Sequence, residues 1–163
     1  MPRIPFDQLP ADARVWVFPA SRALTNDERS RVLAETDAFI EQWTAHGVPL
    51  SAARDLRHDR FVLVAVNERA AGTSGCSVDA LVRRMSQLQS VLGVDLTDNA
   101  PVLFRRGDRI ERVPRERFAE LAAAGDVGPD TVVFDNTVTT VGDIRDGRWE
   151  TRAADTWHAT AFF

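Results

Sequence analysis

The sequence predicts an α+β protein of one domain, residues 1–163, built on a ferredoxin-like β-α-β-β-α-β core with an antiparallel sheet. Three observations predict it. Two segments with helical period, 24–47 and 77–92, each follow a short apolar run that reads as a strand. Between them, "PLSAARDLRHDRFVLVAVNE" holds two strand-like runs separated by the polar RHDR. A further apolar run, "PVLFRRGDRIERV", follows the second helical segment. With 163 residues, 44% of them hydrophobic, the chain can build one sizeable core without staples. The core is expected over 14–105, with a C-terminal β/α extension over 106–163.

In the first strand, "RVWVFPA", Val15 and Val17 share one parity while Trp16 and Phe18 share the other, so protein is expected on both faces. Pro19 ends it, because proline has no ladder donor. The first helix opens with Thr25 as N-cap and Glu28 three residues on, the signature of a capping box. Val32, Thr36, Phe39, Ile40 and Trp43 recur at intervals of three and four as its apolar stripe, and Gly47 is the expected stop. Residues 57–60 form the reversal between the next two strands, the second of which, "FVLVAV", is apolar throughout and suits a central position.

The second helix is expected over 77–92, with Ser77 as N-cap and Asp79 placing negative charge in the first turn. Val78, Leu81, Val82, Met85, Leu88 and Leu92 form its stripe, and Gly93 ends it. A hairpin then turns at Arg106–Gly107–Asp108. Pro114 opens a short helix anchored by Phe118 and Leu121. "TVVFDNTVTTVGDI" reads as a strand followed by a turn at Asp146–Gly147, and the last residues as a short strand with aromatics packed against the sheet. Two helices on one face leave the other to the C-terminal third or to a second copy, so a homodimer through an exposed sheet face is one expectation.

Formal charge is -4, from 20 basic and 24 acidic residues. This lacks the positive footprint of a nucleic-acid binder, and nucleic acid is disfavoured as a partner. The single cysteine permits no intrachain disulfide and no multi-cysteine metal site, which suits a reducing compartment. The start does not read as a signal peptide, and no stretch approaches the ~20 apolar residues of a membrane span. A cytoplasmic protein without membrane contact, metal or cofactor is therefore expected.

Chemistry concentrates in "GTSGCSVD". Gly72 and Gly75 permit backbone angles that would turn several N–H groups towards one point, just ahead of a helix start. Thr73, Ser74, Gly75, Ser77 and Asp79 are thus the candidate contacts for a small anionic ligand, phosphate or nucleotide. The same helix start favours a thiolate at Cys76, which makes a thiol-dependent enzyme the competing reading. A nucleophile needs a base. In the ferredoxin-like layout the end of the first helix and the start of the second are expected towards opposite ends of the sheet, which disfavours His46. The turn after the second strand is expected opposite the end of the third, which disfavours His58. His158 remains by elimination. The structural alternative is a small buried cysteine beside an ordinary cap.

Other patterns are weaker. No G-x-x-x-x-G-K-[ST] loop is present, so a nucleotide triphosphate is not held in the P-loop manner. Asp135 and Asn136 follow an apolar run where a magnesium carboxylate would sit, but such pairs more often make turns. Arg57, Arg60, Arg105 and Arg106 would form a basic rim if both hairpin turns share one end. Trp43, Trp149 and Trp157 suit core or subunit contacts better than base stacking.

Trp43, His46, Gly47, Gly75, Cys76, Ser77, Asp79, Trp157 and His158 also carry a resemblance. With "FIEQWTAHGVPLSA" and "GTSGCSVDALVRRM", the chain resembles a small bacterial family of about this length, with W-x-x-H-G and G-C-S-x-D patterns. Some members are labelled ABC transporter ATPase. This chain has no phosphate loop and is far shorter than a complete nucleotide-binding domain. The resemblance implies a shared fold over most of 14–95 and transfers no catalytic role.

Overall fold

The computed structural model describes residues 3–163 and shows an α+β protein with antiparallel sheets. The chain divides into two compact units. One comprises the residues up to Asp98 together with Thr139–Gly142; the other comprises Asn99–Val138 and Asp143–Phe163. Among the described residues, no helix is long and apolar enough to cross a membrane.

The first unit contains β1 (Arg14–Pro19), α1 (Asn26–Gln42), β2 (Thr44–Ala45), β3 (Val48–Pro49), β4 (Ala52–Arg57), β5 (Phe61–Val66) and α2 (Gly75–Leu92). Its sheet has the order β1-β5-β4, with Val64 opposite Trp16 on one side and Arg54 on the other. This is the order of three strands in a ferredoxin-like sheet. The fourth expected strand, 102–106, pairs elsewhere. Periodicity identifies a strand but not its neighbour, and the outer edge of β1 is already occupied. The Val15 N–H donates to the Thr139 carbonyl at 2.9 Å, and Arg14 bridges to Thr140. Gly142 completes the contact: its N–H donates to the Ala11 carbonyl at 2.7 Å, and a Cβ there would lie 2.9 Å from that oxygen.

The β5 strand is central and buried throughout, as its continuous apolar run predicts. Val62, Val64 and Val66 pack with Val32, Ile40, Leu81, Met85 and Leu88 from the two helices. Phe61, Leu63 and Ala65, of the opposite parity, are equally buried within one chain. The central strand is therefore covered on both faces.

The local chemistry explains the element ends. At α1 the capping box forms as expected, with Thr25 Oγ1 accepting from the Glu28 N–H and the Glu28 carboxylate accepting from the Thr25 N–H. The helix stops at Gln42, with Trp43 as its C-cap, before Gly47 is reached. His46 (φ 51°) and Gly47 (φ 77°) instead make the two-residue turn of the small β2–β3 hairpin, a conformation suited to a primed turn. His58 and Asp59, also at positive φ, make the β4–β5 reversal expected at 57–60, closed by the Arg60 N–H on the Arg57 carbonyl. Gly93 ends α2 in the left-handed conformation. The buried stripe of α2 is narrower than expected: Ser77, Leu81, Met85 and Leu88 are buried, whereas Val82 is 41% exposed.

The second unit contains β6 (Val102–Arg106), β7 (Arg109–Val113), α3 (Arg115–Ala123), β8 (Val132–Phe134), β9 (Glu150–Arg152) and α5 (His158–Phe162). The short α4 (Val141–Arg145) bridges the sequence boundary between the units. The sheet order is β7-β6-β8-β9. Phe118 and Leu121 of α3 anchor a core with Val102, Phe104, Val127 and Val133, as their spacing predicts. The strand expected over "TVVFDNTVTT" stops at Phe134. Asp135 then turns the chain, its Oδ1 accepting from the Thr137 N–H at 3.0 Å.

Candidate functional site

The candidate site lies in the first unit, where the end of α1 meets the start of α2. Consecutive helices over an antiparallel β1–β5 pair run in opposite senses, so the last turn of one lies beside the first turn of the other. The expectation that these ends are far apart is wrong for this reason, and with it the ground for excluding His46. Trp43 fixes the junction. Its indole is buried, packs edge-on to Trp16 with centroids 5.9 Å apart, and donates its Nε1–H to the Ser77 carbonyl at 2.8 Å. Phe39, one turn earlier, packs against the same indole at 5.2 Å.

The second helix begins two residues earlier than its sequence suggests. Ser74 is the N-cap, and Ser77 is the third residue of a capping box made entirely of hydroxyls. The Ser77 N–H donates to Ser74 Oγ at 3.2 Å, and the Ser74 N–H donates to Ser77 Oγ at 2.7 Å. Ser77 Oγ also donates to the Ser74 carbonyl at 2.8 Å. Neither Gly72 nor Gly75 has a positive φ, so the loop does not use the left-handed freedom its glycines offer. The N–H groups of Gly75 and Cys76, inside the first turn, have no partner among the described residues. That is the usual state of a helix start beyond its cap.

In front of this turn is an open cleft of about 480 Å³, lined by Phe39, Gln42, Trp43, Thr44, His46, Ser74, Cys76, Ser77, Ala80 and Arg84. Cys76 is exposed, so its reading as a buried small hydrophobe is overturned. No carboxylate lines the cleft. Its charged side chain is Arg84, whose Nη1 lies 3.3 Å from the Glu35 carboxylate.

The structure distributes the expected site residues unevenly. Ser74, Cys76 and Ser77 line the cleft. Thr73 faces away into a local pairing: its N–H and hydroxyl both donate to Glu68 Oε2, at 3.0 and 3.1 Å. Gly75 is exposed at the first helical position, and Asp79 is exposed beyond the first turn. His158 belongs to the second unit and is 1% exposed. Its Nδ1 lies 2.7 Å from Thr156 Oγ1 and its ring stacks on Trp157, so it is taken up by its own surroundings. His46, Trp43, Phe39 and Arg84 also line the cleft, although no motif in the sequence marks them as site residues. The signal that finds them is the antiparallel pairing of α1 and α2, which converts positions 39–46 and 74–84 into one surface.

The remaining candidates resolve into structure. Asn136 Oδ1 accepts from Trp149 Nε1–H at 2.8 Å, and Asp135 is held in its turn by Thr137. Among the described residues no group of three or more metal-ligating side chains comes together. The arginines of the expected basic rim are individually engaged: Arg57 with Asp55, Arg105 with Glu150 and Arg106 with Glu111, while the buried Arg60 donates to the Ala20 carbonyl. Compared with known families and proteins, the chain matches no family model, no curated protein and no solved structure.

Proposed function

We propose that this protein is a non-enzymatic ligand-binding protein of a reducing, cytoplasmic environment, and that it takes a small anionic ligand in the cleft over the first turn of α2. One observation carries the reading. The cleft combines Arg84, His46 and the two open amides of Gly75 and Cys76 with a lining free of carboxylates. A helix start is a favourable place for negative charge, worth about 0.3–1 kcal/mol even at an exposed site. Phe39 and Ala80 give the ligand an apolar wall, so a small phosphorylated or carboxylated metabolite with an apolar portion fits better than a bare ion. The test is a thermal-shift screen of phosphate- and carboxylate-bearing metabolites, paired with the rate of Cys76 alkylation. A true ligand raises the melting temperature in proportion to the logarithm of its concentration and slows alkylation. A panel that produces neither effect ends the reading.

A second reading, thiol chemistry, is favoured by the exposure of Cys76 in the same cleft as His46. If the imidazole assists the thiol, His46→Ala slows alkylation about tenfold or more, in line with general-base contributions. Equal rates in the two proteins leave Cys76 without a base.

A further inference from the structure

The C-terminal segment of the second unit is closed by an enclosed imidazole. His158 opens α5 at 1% exposure. Its ring stacks on Trp157 with centroids 3.9 Å apart, lies 6.2 Å from Phe162 at an interplanar angle of 27°, and meets Phe118 edge-on at 6.3 Å. Phe118, fully buried in α3, is in turn covered by Phe162 at 4.8 Å and Phe163 at 6.2 Å. Thr156 holds the segment at its base: its hydroxyl oxygen accepts from the His158 N–H at 3.1 Å and lies 2.7 Å from Nδ1.

The charges around this imidazole act in opposite senses. From α3, Arg115 projects over the Trp157 ring at 4.8 Å and repels a second positive charge. Asp135, following β8, acts in the opposite direction. Asp155, on the turn before α5, is paired with Arg152 at 3.3 Å. Burial dominates: it is the largest cause holding the His158 pKa at about 4, below the ordinary 6.5, against the opposing charge of Asp135, with Arg115 adding a smaller lowering. A group that is neutral when enclosed and basic when released couples proton uptake to release.

We propose that His158 is the acid-sensitive catch of a C-terminal latch: while neutral it clamps residues 157–163 over Phe118, and protonation releases them and bares the apolar face of α3.

The sign follows from linkage. The released segment takes up a proton near 6.5 and the closed one only near 4, so closure is favoured at neutral pH and is progressively lost as pH falls between those values. The released population rises about 20-fold between pH 7 and pH 5, by the ratio of the two protonation polynomials. Hydrogen exchange of the backbone amides of residues 158–163 is followed in the whole protein at both pH values, each rate divided by the intrinsic rate of the same residue in an unstructured peptide. The expected relative exchange rate of these amides rises about 20-fold at pH 5 in the wild type and stays flat in His158→Phe, which keeps the aromatic packing without the titrating group. A flat wild-type profile, or the same rise in the variant, overturns the proposal. The imidazole's own NMR titration needs no variant. A midpoint well below 6 is expected, and one near the ordinary 6.5 overturns the latch whatever happens to His158→Phe.

Discussion

The two long helices of the first unit begin with the same device and end up chemically different. Both carry a capping box, Thr25 with Glu28 at α1 and Ser74 with Ser77 at α2. At α1 the third residue is a carboxylate that accepts from the Thr25 N–H and is clasped by Arg22 through two bonds of 2.8 Å. Arg22 and the Thr25 N–H hold the Glu28 carboxyl down to about 2. At α2 the third residue is a hydroxyl, and no acidic residue lies in the first turn. The positive end of α1 is thus answered from within the chain, whereas that of α2 opens on a cleft. A closed start serves only the helix. An open start beside a cavity is available to something else.

The largest test of this contrast is at Trp43, which holds the open start in place. Trp43→Ala removes a buried indole and is expected to destabilise the protein by about 3–5 kcal/mol, read from urea unfolding. Trp43→Phe keeps most of the packing but withdraws the bond to the Ser77 carbonyl, at an expected cost of about 1 kcal/mol. If the junction positions the cleft, Trp43→Phe also weakens ligand protection of Cys76. Unchanged protection shows that α2 stands without the tryptophan.

Next are the caps themselves. Thr25→Ala and Ser74→Ala are each expected to cost about 1 kcal/mol at neutral pH. They separate when acid is used with Glu28→Gln. The carboxyl of Glu28 is depressed in the fold, so its stabilisation is present above its ordinary 4.5 and is lost as pH falls through about 2. The stability gap between wild type and Glu28→Gln therefore narrows between pH 4.5 and 2. The gap between wild type and Ser77→Ala does not, because no carboxylate takes part in the α2 box. A gap for Ser77→Ala that narrows in the same window would mean that an acidic group answers α2 after all.

Much of this was legible in the sequence, and what was not has a physical reason. The α1 box was readable because threonine and glutamate stand at the required separation, and the central position of β5 because its residues are apolar at both parities. The start of α2 is not legible in this way, because Ser74 is the cap and Ser77 its reciprocating partner. With hydroxyls at both 74 and 77, composition alone does not say which caps and which reciprocates. The cleft itself was invisible for a different reason. Phe39, His46, Cys76 and Arg84 become neighbours only when α1 and α2 pack antiparallel, and eliminating His46 on a mistaken geometry removed it from view. The fourth strand failed similarly: "PVLFRR" announces a strand, while its partners, Val113 and Val133, follow it in the chain.

The smallest expected effect on stability is the most discriminating for function. Cys76→Asp puts a carboxylate on the exposed second residue of α2, giving this start the charge that α1 already carries. A negative side chain in the first turn is expected to raise stability by about 0.3–1 kcal/mol, which urea unfolding resolves. The same charge occupies the place proposed for the ligand, so thermal shifts produced by phosphate- or carboxylate-bearing compounds should disappear. Cys76→Ser, which leaves the start neutral, should keep them. The two variants divide the possibilities cleanly. Loss in both assigns the ligand contact to the sulfur and favours thiol chemistry, and loss only in the aspartate variant assigns it to the unanswered helix start. Retention in both places the ligand outside this cleft, and the difference between α1 and α2 is then one of capping chemistry alone.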